Sequence, residues 1–246
     1  MRILATYNIK GGVGKTATAV NLAFLAAREG FRTLLWDLDP QGAASFYCRI
    51  KPRIEGGVKD LLRGDRELTE VVHATPYEGL DLVPADFSYR HMDIALADKK
   101  KPVRQLMKLL RPMQDRYHFL FIDSPPNITV VSENIFFAAE ALLIPVIPTP
   151  LSLRTHVQLL RHFQQNPVPH LKLLPFFSMV DRRRALHRQI VEELPLQYPD
   201  MLRTEIPYSS QVELMGVREA PLTAFAPGGP VGQAYQALWD EIKARL

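Results

Sequence analysis

A single cysteine, Cys48, stands among 246 residues, so no disulfide can form within the chain. One thiol is also too few to hold an iron–sulfur cluster, and a reducing compartment is the expected setting. Cys48 reads as a small core or edge residue. No apolar run approaches the ~20 residues needed to span a bilayer. The longest, Ala138 to Pro148, contains Glu140 and two prolines and reads as a buried strand. The seven histidines show no metal-binding spacing such as H-E-x-x-H. Charge imbalance is small: a net charge of +4 permits a polyanionic partner without demanding one. Internal repeats, low-complexity tracts and breaks in composition are missing too, so residues 1–246 read as one domain. Arg2 is followed at once by a strand-like run and a glycine loop, so no leader is expected. No extension precedes that loop, which argues against sequence-specific operator binding.

What the chain does contain is an alternation of strand-like and helix-like segments. Strands are predicted over 2–7, 32–39, 79–85, 117–126, 140–148 and 171–180, with a short one over 202–207. Helices are predicted over 15–29, 102–115, 152–165, 184–195 and 230–245, and Gly30 is placed to end the first in a left-handed cap. Segments 52–57 and 226–230 are turn-rich. Such alternation argues for an α/β fold, a mostly parallel twisted sheet with helices on both faces. The near-continuous apolar run 32–39 fits a strand covered on both sides.

The stretch Ile9-Lys10-Gly11-Gly12-Val13-Gly14-Lys15-Thr16-Ala17 lies between a predicted strand and a predicted helix, the context in which a phosphate-binding loop is credible. Gly11, Gly12 and Gly14 let backbone N–H groups converge on phosphate oxygens, and the helix N-terminus adds its positive end. Lys15 is placed to neutralise β- and γ-phosphates and the Thr16 hydroxyl to ligate Mg²⁺. Yet the first glycine of a P-loop is replaced by Ile9, and a second lysine, Lys10, follows. Asp37 and Asp39 end a buried strand, where α/β ligand sites collect. Carboxylates there suit Mg²⁺ coordination through water and the positioning of an attacking water. In Phe119-Leu120-Phe121-Ile122-Asp123 an acid follows four apolar residues, the pattern of a Walker B strand whose Asp123 holds the Mg²⁺ hydration shell.

Together these segments resemble the ParA/MinD family of deviant Walker A ATPases, P-loop NTPases, with the small Soj-like ParA proteins nearest in pattern. The resemblance extends to Ile206-Pro207 and Glu219-Ala220 in the C-terminal region. It implies ATP and Mg²⁺ as cofactors and slow ATP hydrolysis. It also implies that Lys10 reaches across a homodimer interface to the partner's nucleotide. The Asp37-Leu38-Asp39-Pro40-Gln41 stretch places the hydrolysis-critical acid at Asp39, and Asp37 then acts on the metal's water shell or the loop. The implied nucleotide contacts run from Gly11 to Ala17 and include Asp181 and Pro207 near the base. Family members bind DNA non-specifically as ATP dimers and move a plasmid, chromosome or protein cargo with a ParB-like or cargo-adaptor protein that stimulates hydrolysis. A cytoplasmic, nucleoid-associated location without stable membrane insertion follows.

Three departures stand out. Ala17 replaces a usual hydroxyl, Ile9 replaces glutamine or glycine, and Tyr208 and Gln211 replace arginines common in DNA-binding members. The cluster Arg182, Arg183, Arg184 and Arg188 suits phosphate geometry, with Arg203 and Arg218 as further DNA-contact candidates. Its bland alternative is a solvated helix end, which is also the reading of the Lys-rich stretch 99–104. A MinD-like membrane cycle is the alternative function, and it would need the apolar stripe Val231, Ala234, Tyr235, Leu238, Trp239 and Ile242 to face lipid. That stripe reads more readily as a helix packed on the sheet. A metabolic ATP-dependent synthetase is the third reading, set back by a length that leaves no second chemical domain.

Overall fold

The computed structural model describes residues Met1–Leu246. Its centre is one eight-stranded sheet made of β1 (Arg2–Thr6), β2 (Thr33–Asp37), β3 (His73–Ala74), β4 (Leu80–Val83), β5 (Phe119–Asp123), β6 (Ala141–Val146), β7 (Lys172–Val180) and β8 (Glu205–Pro207). The order across the sheet is β3-β4-β2-β5-β1-β6-β7-β8. All neighbours run parallel except β3, which pairs antiparallel to β4.

The three strands that read as unbroken apolar runs, β2, β5 and β6, are buried at every residue. Helices cover them on both faces. One core gathers Trp36, Ile122, Phe136 and Phe177, and the other Phe121, Phe176, Tyr235 and Trp239. The Lys15–Arg28 helix lies in the second core, and its Ala-rich face lets it approach the sheet closely. It ends where Gly30, at φ +89°, donates its N–H to the Ala27 carbonyl.

The Pro230–Arg245 helix packs on the same face, with Val231, Tyr235, Leu238, Trp239 and Ile242 buried. The stripe that a membrane would have needed therefore belongs to the core. No helix is long and apolar enough to cross a membrane. Cys48 is fully buried, and burial pushes its thiol up to about 12, which leaves it an inert packing group.

One predicted element differs, and several pieces are not predicted. The helix expected over 102–115 is three pieces: 3₁₀ turns Pro102–Arg104 and Arg111–Met113 flank the helix Gln105–Leu110. Pro112 lacks the N–H a continuing helix needs, and Arg104, at φ −117° and ψ 11°, leaves α-helical space. The short helices Ala43–Tyr47, Gly57–Arg63, Met92–Ala97, Val130–Ala138, Leu214–Arg218 and Leu222–Phe225 and the two-residue β3 have no counterpart among the predicted elements. Most of these pieces are too short to show a period.

Candidate functional site

Three adjacent strands, β2, β5 and β1, end level with one another, so Asp37, Asp123 and Thr6 stand side by side. The phosphate loop leaves β1 directly above them. Within it, Gly12 and Gly14 occupy left-handed conformations, φ +70° and +94°, which glycine adopts at little cost. A Cβ on Gly14 would also stand 3.0 Å from Ser178 Oγ of β7, so backbone and space both select glycine. Gly11 has no such constraint.

The loop's missing glycine has a structural reason. Position 9 is not in the left-handed region, and Ile9 packs its side chain against the first core. The loop is thereby pinned on one side by an apolar anchor. On the other side is a residue that sequence reading missed. Asn8 is buried, accepts the Lys10 N–H at 2.9 Å and donates to the Pro145 carbonyl at 2.8 Å. Asn8 thus ties the loop to the end of β6. Asn8→Ala should leave the buried Pro145 carbonyl and the part-buried Lys10 N–H unpaired, which costs about 1–3 kcal/mol. Urea denaturation should show that loss, and ATP titration should show weaker binding.

Lys15 is buried, with 7% of its surface accessible, and its ammonium donates to the Lys10 carbonyl at 3.2 Å. Burial holds that ammonium below its usual value, while the Asp123 and Asp39 carboxylates act in the opposite direction. Lys10, by contrast, takes part in no ion pair, and no side-chain hydrogen bond holds its ammonium. The two lysines therefore do different things: Lys15 closes the loop, and Lys10 projects an uncommitted charge from it.

Asp37 and Asp123 are both fully buried, and each keeps one oxygen without a partner, Oδ1 of Asp37 and Oδ2 of Asp123. The other oxygens are held. Asp37 Oδ2 accepts the Ser45 N–H at 2.7 Å and the Ser45 hydroxyl at 2.8 Å, and Asp123 Oδ1 accepts the Thr6 hydroxyl at 3.3 Å. Ser45 in turn accepts the Ala85 N–H at 2.9 Å, so it bridges the β2 and β4 loops. Burial first, then the neighbouring carboxylate, pushes Asp123 well above the ordinary carboxylate range. Asp37 is raised chiefly by burial and lowered by Ser45.

Two orphaned carboxylate oxygens beneath a phosphate loop are an arrangement that a divalent cation satisfies. Magnesium commonly takes one or two carboxylates, with phosphates and water completing its shell. The residues present fit that ion. A carboxyl with a raised value in the folded protein destabilises the fold progressively as pH rises from the ordinary carboxylate range through neutrality. Asp123→Asn removes that penalty. The ligand-free variant should be more stable than the parent by about 1–3 kcal/mol near pH 8 and by little near pH 5. Thermal melts across that pH range should show the difference growing upward, and a constant or shrinking difference would contradict it.

Asp39 lies just beyond β2 at the edge of a cleft of about 390 Å³ that runs between Pro40 and Pro125. Its Oδ1 accepts the Gln41 N–H at 3.0 Å, which sets the turn that carries it. Val13 is fully buried and Ala17 nearly so, so Ala17 offers only its backbone to a ligand. Thr18, the next hydroxyl, is turned away and donates to the Gly14 carbonyl at 2.8 Å.

Asp181 and Pro207 follow β7 and end β8, on the same edge as the loop. Asp181 is already engaged: its carboxylate accepts Arg183 Nε at 2.8 Å and Nη2 at 3.0 Å, and its N–H donates to His187 Nδ1 at 3.1 Å. The adjacent arginines depress its carboxyl to about 2. Arg182 forks onto Glu205, and Arg188 donates to the carbonyls of Arg182 and Arg183 at 2.7 and 3.2 Å. Arg188 is thus a brace for the turn, and Arg184, 3.8 Å from Asp181, is the most loosely held of the four. Arg203 lies elsewhere, ahead of β8 beside Glu241 of the last helix. Arg218 stacks its guanidinium 4.9 Å from the Phe225 ring. The six arginines therefore do not form one patch.

Residues 1–169 match a family described as an AAA domain. The sporulation initiation inhibitor protein Soj of Bacillus subtilis (strain 168) is 31% identical, covering 99% of this chain and 98% of that protein. The chromosome-partitioning ATPase Soj of Thermus thermophilus is 32% identical, covering 100% and 97%. A solved structure described as cobyrinic acid a,c-diamide synthase from Mycobacterium smegmatis, with bound ADP and magnesium, is similar at a TM-score of 0.80 and 28% identity. It covers 98% of this chain and 93% of that one. Chain length therefore does not separate this protein from the one so described, contrary to the expectation that such an enzyme needs a second domain. The near end-to-end match to both Soj proteins, on a fold that carries the loop, Asp39 and Asp123 in the spacing described, shows that the chain belongs to the ParA/Soj family of deviant Walker A ATPases.

Proposed function

We propose that this protein is a ParA-type positioning ATPase. ATP with Mg²⁺ joins two copies through the phosphate-loop edge, and the dimer binds DNA without sequence preference. A ParB-like or cargo-adaptor protein then stimulates hydrolysis and releases it. The observation that carries this reading is the unfinished state of the loop edge. Leu151, Tyr208 and Val217 are 61%, 58% and 80% exposed, and Ile128 and Leu186 are also exposed. Ile128, Leu151, Leu186 and Tyr208 lie in the segments that follow the C-terminal ends of β5, β6, β7 and β8, the end of the sheet from which the loop carrying Lys10 also leaves. Exposed apolar side chains and an uncommitted cation at one end of the sheet suit a second copy of this chain with polyphosphate between.

In this reading Lys15 neutralises the β- and γ-phosphates while Gly11, Gly12, Val13, Gly14, Thr16 and Ala17 supply backbone N–H groups. Asp39 holds the attacking water in line. Thr16 and Asp123, with Asp37 behind them, hold the metal's shell. Mg²⁺, when bound, neutralises phosphate charge and polarises the γ-phosphoryl group. Asp181 and Pro207 border the base. The apolar stripe that a MinD-like membrane cycle would have used is buried in the core, and the Soj proteins are matched nearly end to end.

DNA binding arises in the dimer because two weak cationic patches on one body gain from effective concentration. The exposed pairs Arg182–Glu205 and Arg183–Asp181 are cheap to exchange for phosphate. A filter assay on random-sequence duplex should show retention with ATP, little with ADP, and a steep fall with salt. Equal retention with both nucleotides would overturn the ATP-dimer part of the proposal.

A further inference from the structure

A second concentration of positive charge lies far from the phosphate loop. Lys99, Lys100, Lys101, Arg104, Lys108 and Arg111 follow one another with no acid between them, and Asp98 and Asp115 bound the run. None of the six forms an ion pair, in contrast to Arg182 and Arg183. Lys101, Arg104, Lys108 and Arg111, with Gln114 and Phe137, line an open groove of about 420 Å³ that contains no carboxylate. The Arg104 guanidinium lies 4.8 Å from the centre of the Phe137 ring, which fixes its head at the groove wall.

Only Gln105–Leu110 of this segment is α-helical, yet Lys101, Arg104, Lys108 and Arg111 all reach the same groove. The four charges therefore form one row of cations along its wall. The segment leads into β5, Phe137 leads into β6, and the Phe137 carbonyl accepts His170 Nε2, which precedes β7, at 2.9 Å. All three approach the N-terminal ends of their strands. The groove is therefore at the opposite end of the sheet from the phosphate loop, and a dimer closed on the loop edge leaves it open.

We infer that this groove is a phosphodiester-binding stripe through which the ATP dimer holds nucleic acid, in addition to the arginines after β7. The inference rests on the DNA-binding reading above and gives that reading a place on the fold. A row of unpaired cations with no acid among them suits a polyanion. Duplex DNA offers a charge every ~1.7 Å along its axis, so the line faces several phosphates at once. The two guanidinium forks suit phosphate oxygens better than point charges do. Contacts of this type read no bases.

The test is the double variant Lys108→Glu/Arg111→Glu in the full chain. Both side chains are exposed and take part in no hydrogen bond or ion pair, so ATP-driven dimerisation should be preserved and serves as the folding control. On random-sequence duplex with ATP, affinity should fall about tenfold or more. The slope of log K against log salt should become shallower by about 2, since two fewer phosphates are neutralised. The neutral pair Lys108→Gln/Arg111→Gln should move both readouts in the same direction, and it replaces the reversal if dimerisation is lost. Parent protein that binds DNA while the variants match it in affinity and slope overturns the groove and leaves the DNA reading standing. Parent protein that binds no DNA with ATP overturns both. Variants that keep DNA binding but lose binding to phosphatidylglycerol vesicles assign the groove to a membrane surface and overturn the inference.

Discussion

Replacing Lys15 with alanine is expected to lower ATP affinity by on the order of 10²–10³-fold, as follows from removing one partner of a desolvated charge pair. Lys15 is nearly buried, and its ammonium is held over the loop by the Lys10 carbonyl. No other cation shares that position, because Lys10 is directed elsewhere. The same substitution should also destabilise the ligand-free protein. Asp37 and Asp123 are buried side by side, and Lys15 is a cation that offsets Asp123. Adding Asp123→Asn to Lys15→Ala should therefore restore stability without restoring nucleotide binding. Calorimetric titration with Mg-ATP and a thermal melt separate the two effects. Unchanged affinity in Lys15→Ala would remove the basis for placing phosphate in this loop.

Asp39→Ala should give the opposite phenotype, with nucleotide retained and turnover lost. Asp39 stands outside the buried carboxylate pair, on a turn set by its own contact with the Gln41 N–H, beside a cleft with room for water. Removing a group that positions or deprotonates an attacking water lowers rates by about 10²–10⁴-fold. Asp39 makes no contact that holds the loop, so ATP affinity should stay close to that of the parent protein. Phosphate release under saturating ATP, measured beside the binding constant, tests both halves. A variant that hydrolyses ATP at the parent rate would transfer the role to another residue.

The parts of the site legible in the sequence are those whose constraint is local. Gly12 and Gly14 must adopt left-handed conformations, Lys15 and Thr16 follow at fixed offsets, and Asp123 ends an apolar run. Each shows in a window of a few residues. Asn8 and Ser45 work through partners far along the chain, at Pro145 and Ala85, and nothing near them in sequence marks those partners. The arginine cluster misleads for the same reason. Four arginines in seven positions look like free charge, but Glu205 is 23 residues away in sequence and occupies Arg182. In the stretch from Lys99 to Arg111 the charges look solvated, and the groove they line becomes visible only once Phe137 is brought beside Arg104.

The fold is legible to the same depth. Strands β1, β2, β4, β5, β6 and β7 carry apolar runs, whereas the two-residue β3 has no run to show. The helix predicted over 102–115 fails at Arg104 and Pro112, where backbone geometry overrides composition.

The role of Lys10 is most directly tested by the mass of the protein in solution. Light scattering on Asp39→Ala, which is expected to hold ATP without turnover, should give near twice the 28.0 kDa chain mass with Mg-ATP and a single chain mass with ADP. Adding Lys10→Ala should return the ATP sample to a single chain mass while nucleotide stays bound, because the charge that meets the partner's phosphates is gone. A protein saturated with ATP that remains monomeric in the Asp39→Ala background, or a dimer indifferent to Lys10→Ala, would contradict an ATP-bridged dimer closed by this lysine.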